Sequence, residues 1–150
     1  MDARPLLLVE DEKNDIHLFK HALITEHITN PLHVAEDGQQ AIDYLDGVGQ
    51  YADRAQFPLP VLVLLDLKLP VKTGLQVLEW IRKQPRLETL LVVILTSSSE
   101  QSDINAAYLL GANSFLVKPS GHTELRDLVK MIRIYWLTLN KASFEYTEAT

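Results

Sequence analysis

Cysteine is absent from this 150-residue chain, which excludes disulfides, thiolate metal sites and cysteine nucleophiles. No window comes near the roughly 18 consecutive apolar residues that a membrane span requires. No secretory signal is expected either, because the opening MDARPLLLVEDE sets acids where a cleavage region would have to lie. Basic residues are few and scattered: 14 Lys and Arg stand against 20 Asp and Glu, for a formal charge of -6. Binding to DNA normally needs a concentrated basic surface, so nucleic acid is not expected as the partner. Internal repeats and low-complexity tracts are lacking as well. The expectation is a cytoplasmic chain with no membrane attachment, and its 47% apolar residues suffice for one compact core. One domain over residues 1–140 and a C-terminal tail over 141–150 is the expected organisation.

What is present is a repeated pattern. Leu6-Leu7-Leu8-Val9 is a short apolar run that stops at Glu10-Asp11-Glu12, and similar runs cover Val61 to Leu65, Leu91 to Leu95 and Ser114 to Val117. Such runs suit strands buried on both faces of a parallel sheet. Between them, apolar residues recur at helical spacing: Ile16, Phe19 and Leu23; Ala41, Ile42, Tyr44 and Leu45; Leu75, Val77, Leu78 and Ile81. A further strand is expected over Leu32 to Ala35, a helix over Asp103 to Leu110, and a last long helix from Thr123 to about Leu139. This alternation predicts βαβ units, five strands with five helices, in a doubly wound α/β sheet. Ligands bind such sheets beyond the carboxyl ends of the strands. The segment Asp46 to Pro60 departs from the pattern, being longer than usual helix-to-strand connections.

Four runs end in residues able to do chemistry: Glu10-Asp11, Asp66, Thr96 and Lys118. One strand-end Asp is most often a turn former or helix cap. Here the sheet would bring all of them to one edge, and three carboxylates converging there repel each other unless a cation is bound. Mg2+ fits, since it takes oxygen ligands and keeps several waters. Asp11 and Asp66 would be direct ligands, Glu10 would act through water, and the backbone carbonyl of Lys68 would complete the protein's share. In such a site the Asp66 carboxylate can attack a phosphoryl group as a nucleophile. Lys118 and the Thr96 hydroxyl would hold its other oxygens.

The blocks VEDE at 9–12, LLDLKLP at 64–70, LTSSS at 95–99 and FLVKP at 115–119 together resemble the signature of bacterial two-component response-regulator receiver domains, in order and spacing. The resemblance spans about Leu6 to Leu137. It implies a flavodoxin-like fold with strand order 2-1-3-4-5. It also implies Glu10 and Asp11 as the acidic metal-binding pair, Asp66 as phosphoacceptor, Lys118 as the family lysine, and Lys68 as a ligand through its carbonyl. Thr96 is the implied switch hydroxyl, with Phe115 the aromatic that turns inward with it. A cis Lys118-Pro119 peptide is expected on the same ground. The loop 70–74 departs from many receivers in having Thr73 where they have Asp.

A receiver of this kind is a phosphoacceptor signalling protein that assists its own phosphorylation and dephosphorylation, and is not an enzyme acting on other substrates. Only 32 residues follow Lys118, so output is expected to pass through another molecule. In the last helix Met131, Ile134 and Tyr135 add apolar surface beyond the stripe that faces the sheet, which points to a homodimer. The YADRAQFPLP segment, GANSFLVKP and IYWLTLNK are similar to stand-alone regulators paired with bacteriophytochrome and cyanobacterial phytochrome kinases, so a red-light sensor histidine kinase is the expected donor.

His17, His21, His27, His33 and His122 lack metal-ligand spacing and read as surface or packing residues; Trp80 and Trp136 read as packing residues. Three other classes fit less well. An Asp-nucleophile phosphatase of the haloacid dehalogenase type needs a second Asp where Lys68 stands. A flavodoxin-like cofactor binder needs a Ser/Thr/Gly-rich phosphate loop where Glu10-Asp11-Glu12 stands. A degenerate docking receiver would not need the intact Asp66 set.

Overall fold

A computed structural model of the chain describes residues 3–142. Among them, five parallel strands form one sheet in the order β2-β1-β3-β4-β5. The elements run β1 (Leu6–Val9), α1 (Lys13–Thr25), β2 (Leu32–Ala35), α2 (Gly38–Asp46), β3 (Leu62–Leu65), α3 (Gly74–Lys83), β4 (Val92–Thr96), α4 (Gln101–Leu109), β5 (Ser114–Val117) and α5 (His122–Met131). This is the expected architecture.

The three central strands are buried along their whole length, which is why their sequences are unbroken apolar runs rather than alternating ones. Two clusters cover them. Leu6, Leu8, Leu62, Leu64, Val93 and Leu95 face α1 and α5, while Leu7, Val9, Val63, Leu65, Val92 and Ile94 face α2, α3 and α4. Three of the helices, α1, α2 and α3, start where a polar side chain holds a free N–H group. Glu12 caps α1 by accepting from Asn14 N at 3.2 Å, and Asp37 caps α2 by accepting from Gln40 N at 2.7 Å. Thr73 and Gln76 form a reciprocal capping box at α3, so the unusual Thr73 keeps the loop-to-helix junction closed with its own hydrogen bonds.

Three expectations change. The last helix does not run on as one α-helix: α5 ends at Met131 and a π-helix covers Ile132–Leu139. Its wider winding is seen in the Asn140 N–H donating to the Tyr135 carbonyl at 2.6 Å. Ile132 is buried, and Trp136 and Leu137 pack against the α1/α5 cluster; apolar spacing alone could not separate this winding from an α-helix. Among the described residues no peptide is cis, so the Lys118-Pro119 bond is trans. The long lysine stem reaches Asp66 without the inverted peptide, and trans is the lower-energy isomer for X-Pro bonds. The α4 helix begins two residues earlier than expected, at Gln101, where the Glu100 carbonyl accepts from the N–H groups of Asp103 and Ile104 at 3.1 Å.

The segment 47–60 packs as a defined flap. The Arg54 guanidinium donates to the carbonyls of Tyr44 at 2.7 Å, Leu45 at 2.8 Å and Phe57 at 3.1 Å, closing the C-terminus of α2. Tyr44, Tyr51, Phe57 and His33 meet in an aromatic cluster beneath it.

After β3 the chain makes a γ-turn: Lys72 N–H donates to the Pro70 carbonyl at 2.8 Å and Val71 stands at φ 68°. A β-branched residue is disfavoured in this left-handed region. The turn is clasped on both sides by glycine. A Cβ on Gly38 would lie 2.1 Å from the Lys72 carbonyl oxygen, and one on Gly74 would lie 2.1 Å from the Asp66 carbonyl oxygen.

Candidate functional site

The sheet register sets the site. Val9 pairs with Leu65, so the next residues, Glu10 and Asp66, leave the sheet side by side. The ladder continues one step past the strands, with Asp66 N–H donating to the Val9 carbonyl at 3.1 Å and Glu10 N–H to the Ala35 carbonyl at 3.0 Å. Thr96 is the last residue of β4 and pairs with Val117. Lys118 follows, its N–H donating to the Thr96 carbonyl at 2.7 Å. Backbone pairing therefore delivers Glu10, Asp66, Thr96 and Lys118 to one edge.

At that edge the Lys118 ammonium makes ion pairs with three carboxylates. It donates to Asp66 Oδ2 at 2.8 Å, to Asp15 Oδ2 at 3.0 Å and to Glu10 Oε1. Glu10 is 2% exposed and Asp66 6%. The second Glu10 oxygen accepts from the N–H groups of Asp11 at 3.0 Å and Glu12 at 3.2 Å. Asp66 Oδ1 accepts from Lys68 N at 3.3 Å.

Charge is distributed unevenly among these groups. Burial pushes the Glu10 carboxyl up to about 7; the bond from Lys118 works against that rise and the Asp66 charge adds to it. Burial would also raise Asp66, but the Lys118 ammonium, the Thr96 hydroxyl and the Lys68 N–H outweigh it and hold that carboxyl below its usual value. For Lys118 burial works downward, and the bonds to Asp66, Glu10 and Asp15 overcome it, keeping the ammonium well above its ordinary value. Asp66 is thus the anion at neutral pH, while burial keeps Glu10 closer to its protonated form.

Glu10, Asp11 and Asp66 each offer a carboxylate oxygen, and these oxygens lie within 4.8 Å of one another. An all-oxygen anionic donor set of this kind fits a hard divalent cation, which would also offset the Asp66 charge that adds to the burial-driven rise at Glu10. Asp11 is exposed, giving the cluster an open side toward solvent.

Thr96 is fully buried, its Oγ1 accepting from Ser98 N at 3.5 Å. The Ser98 hydroxyl in turn donates to Asp103 Oδ2 at 2.5 Å. Phe115 is half-buried and packs on the α2/α3/α4 cluster. Lys68 has an exposed side chain beside the acidic edge. Met131, Ile134 and Tyr135 lie away from this constellation and are 56%, 40% and 48% exposed. Asp15 was not foreseen. It sits in the first turn of α1, where acids are common for helix-dipole reasons alone, and its partner Lys118 is 103 residues away.

Residues 6–130 match the response regulator receiver domain family. The response regulator Rcp1 of Synechocystis sp. is 39% identical over 132 residues, covering 88% of this chain and 88% of that protein. The crystal structure of the phosphorylated cyanobacterial phytochrome response regulator RcpA superposes with a TM-score of 0.88 at 34% identity, over 95% of this chain and 100% of that one. The Mn2+-bound crystal form of Rcp1 gives a TM-score of 0.83 at 37% identity, over 93% of this chain and 98% of that one. Among the described residues no helix is long and apolar enough to cross a membrane.

Proposed function

The chain belongs to the response regulator receiver domain family, and from that membership we propose that it relays a signal by taking a phosphoryl group from a sensor histidine kinase onto Asp66. The observation that carries this reading is the Asp66 carboxylate itself: buried, anionic, and 2.8 Å from the Lys118 ammonium. It belongs to the cation-binding set, and the Lys118 ammonium beside it holds its carboxyl below the usual value, whereas burial raises that of Glu10.

In the transfer, an Asp66 carboxylate oxygen attacks phosphorus while the bond to the donor's imidazole nitrogen breaks, giving an acyl phosphate. Lys118 donates to one phosphoryl oxygen. The Thr96 hydroxyl donates to another, leaving its contact with the Ser98 N–H, and Phe115 follows into the space that Thr96 vacates. Asp11, Asp66 and the Lys68 carbonyl would hold the cation directly and Glu10 through a bound water; we assign it as Mg2+, which when bound would neutralise charge on the transferred group. The chain assists this transfer and the later hydrolysis of the acyl phosphate to the free carboxylate and inorganic phosphate, and turns over no other substrate.

The likeness to RcpA and Rcp1 supports a phytochrome-type light-sensing kinase as the donor, whether bacteriophytochrome or cyanobacterial phytochrome. The exposed Met131, Ile134 and Tyr135 support a homodimer, and the net charge of -6 supports a protein rather than DNA or a membrane surface as the target. Residues 1–140 make up the receiver and 141–150 the tail; residues 143–150 lie outside the described part. We place the chain in the cytoplasm, a reading supported by the want of any helix long and apolar enough to cross a membrane among the described residues.

Incubation with acetyl phosphate and Mg2+ tests the central assignment. Mass spectrometry should show one added phosphoryl group in the native chain and none in Asp66→Asn. An unmodified native chain, with acetyl phosphate and with a kinase alike, overturns it. Light scattering tests the dimer: a monomer mass at micromolar concentration, with and without a phosphoryl mimic, removes that part of the proposal.

A further inference from the structure

Lys118 has three N–H donors, and each is used by a different carboxylate. Two of the three partners, Glu10 and Asp66, belong to the oxygen cluster suited to a divalent cation; Asp15 does not. A cation entering that cluster therefore competes with the ammonium for the same two carboxylates. Like charges at such distances repel strongly away from bulk water. The Lys118 side chain is only 17% exposed, so an ammonium pushed off Glu10 and Asp66 without another partner would be a desolvated, unpaired charge.

Asp15 is the group placed to prevent that. It lies on α1, a different element from the cluster residues. The helix is fixed by the Glu12 cap and by the burial of Ile16 and Phe19, and the helix N-terminus favours the anionic side chain. At 39% side-chain exposure it keeps its hydration on one side while reaching Lys118 on the other. A cavity of about 70 Å3 beside it, lined by Asp15, Phe19, Lys118, Pro119 and His122 among others, gives the lysine stem room to shift toward α1.

Resting on the cation site described above, we propose that Asp15 is a positioning residue that takes over the Lys118 ammonium when a divalent cation occupies Glu10, Asp11 and Asp66, holding it beside Asp66 for the incoming phosphoryl group. The structural alternative is an ordinary ion pair at a helix start. A third explanation is that Asp15 acts on the cation only through its negative charge. The three differ in whether Lys118 is required.

A double-mutant cycle on the full chain separates them, with Mn2+ binding followed by the EPR signal of free ion and folding checked by circular dichroism. In the native background Asp15→Ala should weaken Mn2+ about five- to tenfold, because Lys118 then stays on the cluster. Asp15→Glu should restore binding. In a Lys118→Met background, which should itself bind Mn2+ more tightly, Asp15→Ala should change affinity by less than about twofold. Equal losses in both backgrounds would assign the effect to bare charge and overturn the proposal, as would an Asp15→Ala protein with native affinity. A native chain that binds no Mn2+ removes the cation site and this role together. Native Mn2+ binding without a phosphoryl adduct defeats only the phosphoacceptor assignment and leaves the cycle valid.

Discussion

Lys118 and Asp66 stand 2.8 Å apart across 52 residues of sequence, and the approach is made by backbone pairing before any side chain is considered. Thr96 accepts the Lys118 N–H while β3 and β4 are paired through Leu65 and Ile94. The ammonium is therefore delivered with the fold, and it neutralises a cluster that would otherwise be unstable.

Lys118→Met keeps the side-chain bulk and removes the charge. Glu10, Asp15 and Asp66 lose their shared partner, and breaking a buried pair from one side is costly. Urea melts at pH 8 without divalent ions should show a loss of about 3 kcal/mol. Most of it should return on adding Mn2+, which takes the place of the ammonium on Glu10 and Asp66. Labelling by acetyl phosphate should fall on the order of 100-fold, as expected for losing one charged donor to the transferred group.

Glu10 sets a pH dependence. Its carboxyl lies at about 7 in the folded chain against an ordinary 4.5, so between those values the folded protein holds a proton that the unfolded one has released. Stability of the cation-free protein should therefore fall as pH rises from about 4.5 to about 7, by at most roughly 3 kcal/mol. The opposite contribution of Asp66, whose carboxyl is depressed below 3.8, is present above that pH and is lost only under more acid conditions. Glu10→Gln should flatten the profile between pH 5 and 7.5 in thermal melts. At pH 7, cation binding to the native chain should release about half a proton, measurable by calorimetry in buffers of different ionisation enthalpy.

Val71 is 75% exposed and in the left-handed region. Glycine there would remove a strain of about 1–2 kcal/mol, at the expense of extra freedom in the unfolded chain of about 0.5–1 kcal/mol. Val71→Gly should raise stability by about 0.5–1 kcal/mol in urea titration. A lower midpoint would mean that the side chain is held by contacts its exposure does not suggest.

Gly74 meets the Asp66 carbonyl so closely that a Cβ there has no space. Gly74→Ala should push the β3–α3 loop off the phosphoacceptor. Since the obstacle is backbone, the expected cost is at least about 2 kcal/mol, with acetyl phosphate labelling slowed even in the folded fraction. Native labelling kinetics in this variant would show that the loop is free to move away.

Most of the acidic edge was legible because parallel strands buried on both faces have apolar runs that stop abruptly, and the residue after each stop is placed by the ladder. Asp66, Thr96 and Lys118 follow from that rule. Asp15 does not, since its role depends on a partner brought in by the fifth strand and its own neighbourhood reads as an ordinary helix start. The π winding of 132–139 was hidden for another reason: Ile132, Trp136 and Leu137 are buried or half-buried at a spacing that an α-helix also allows. The trans Lys118-Pro119 bond follows the ordinary preference of X-Pro peptides, and the Lys118 tip still reaches Asp66.

Of the described α4 residues, Ala107 alone is buried, while Tyr108 and Leu109 are 50% and 88% exposed. Burial of one methyl-sized side chain contributes on the order of 1 kcal/mol, far less than the four buried residues that anchor α3. The first turn of α4 is joined to the chain leaving Thr96 through the Ser98 and Asp103 side chains. With so little apolar burial holding it, α4 is expected to open at a lower free energy than α3, and its amides should exchange with solvent ahead of those of α3 in hydrogen-exchange measurements.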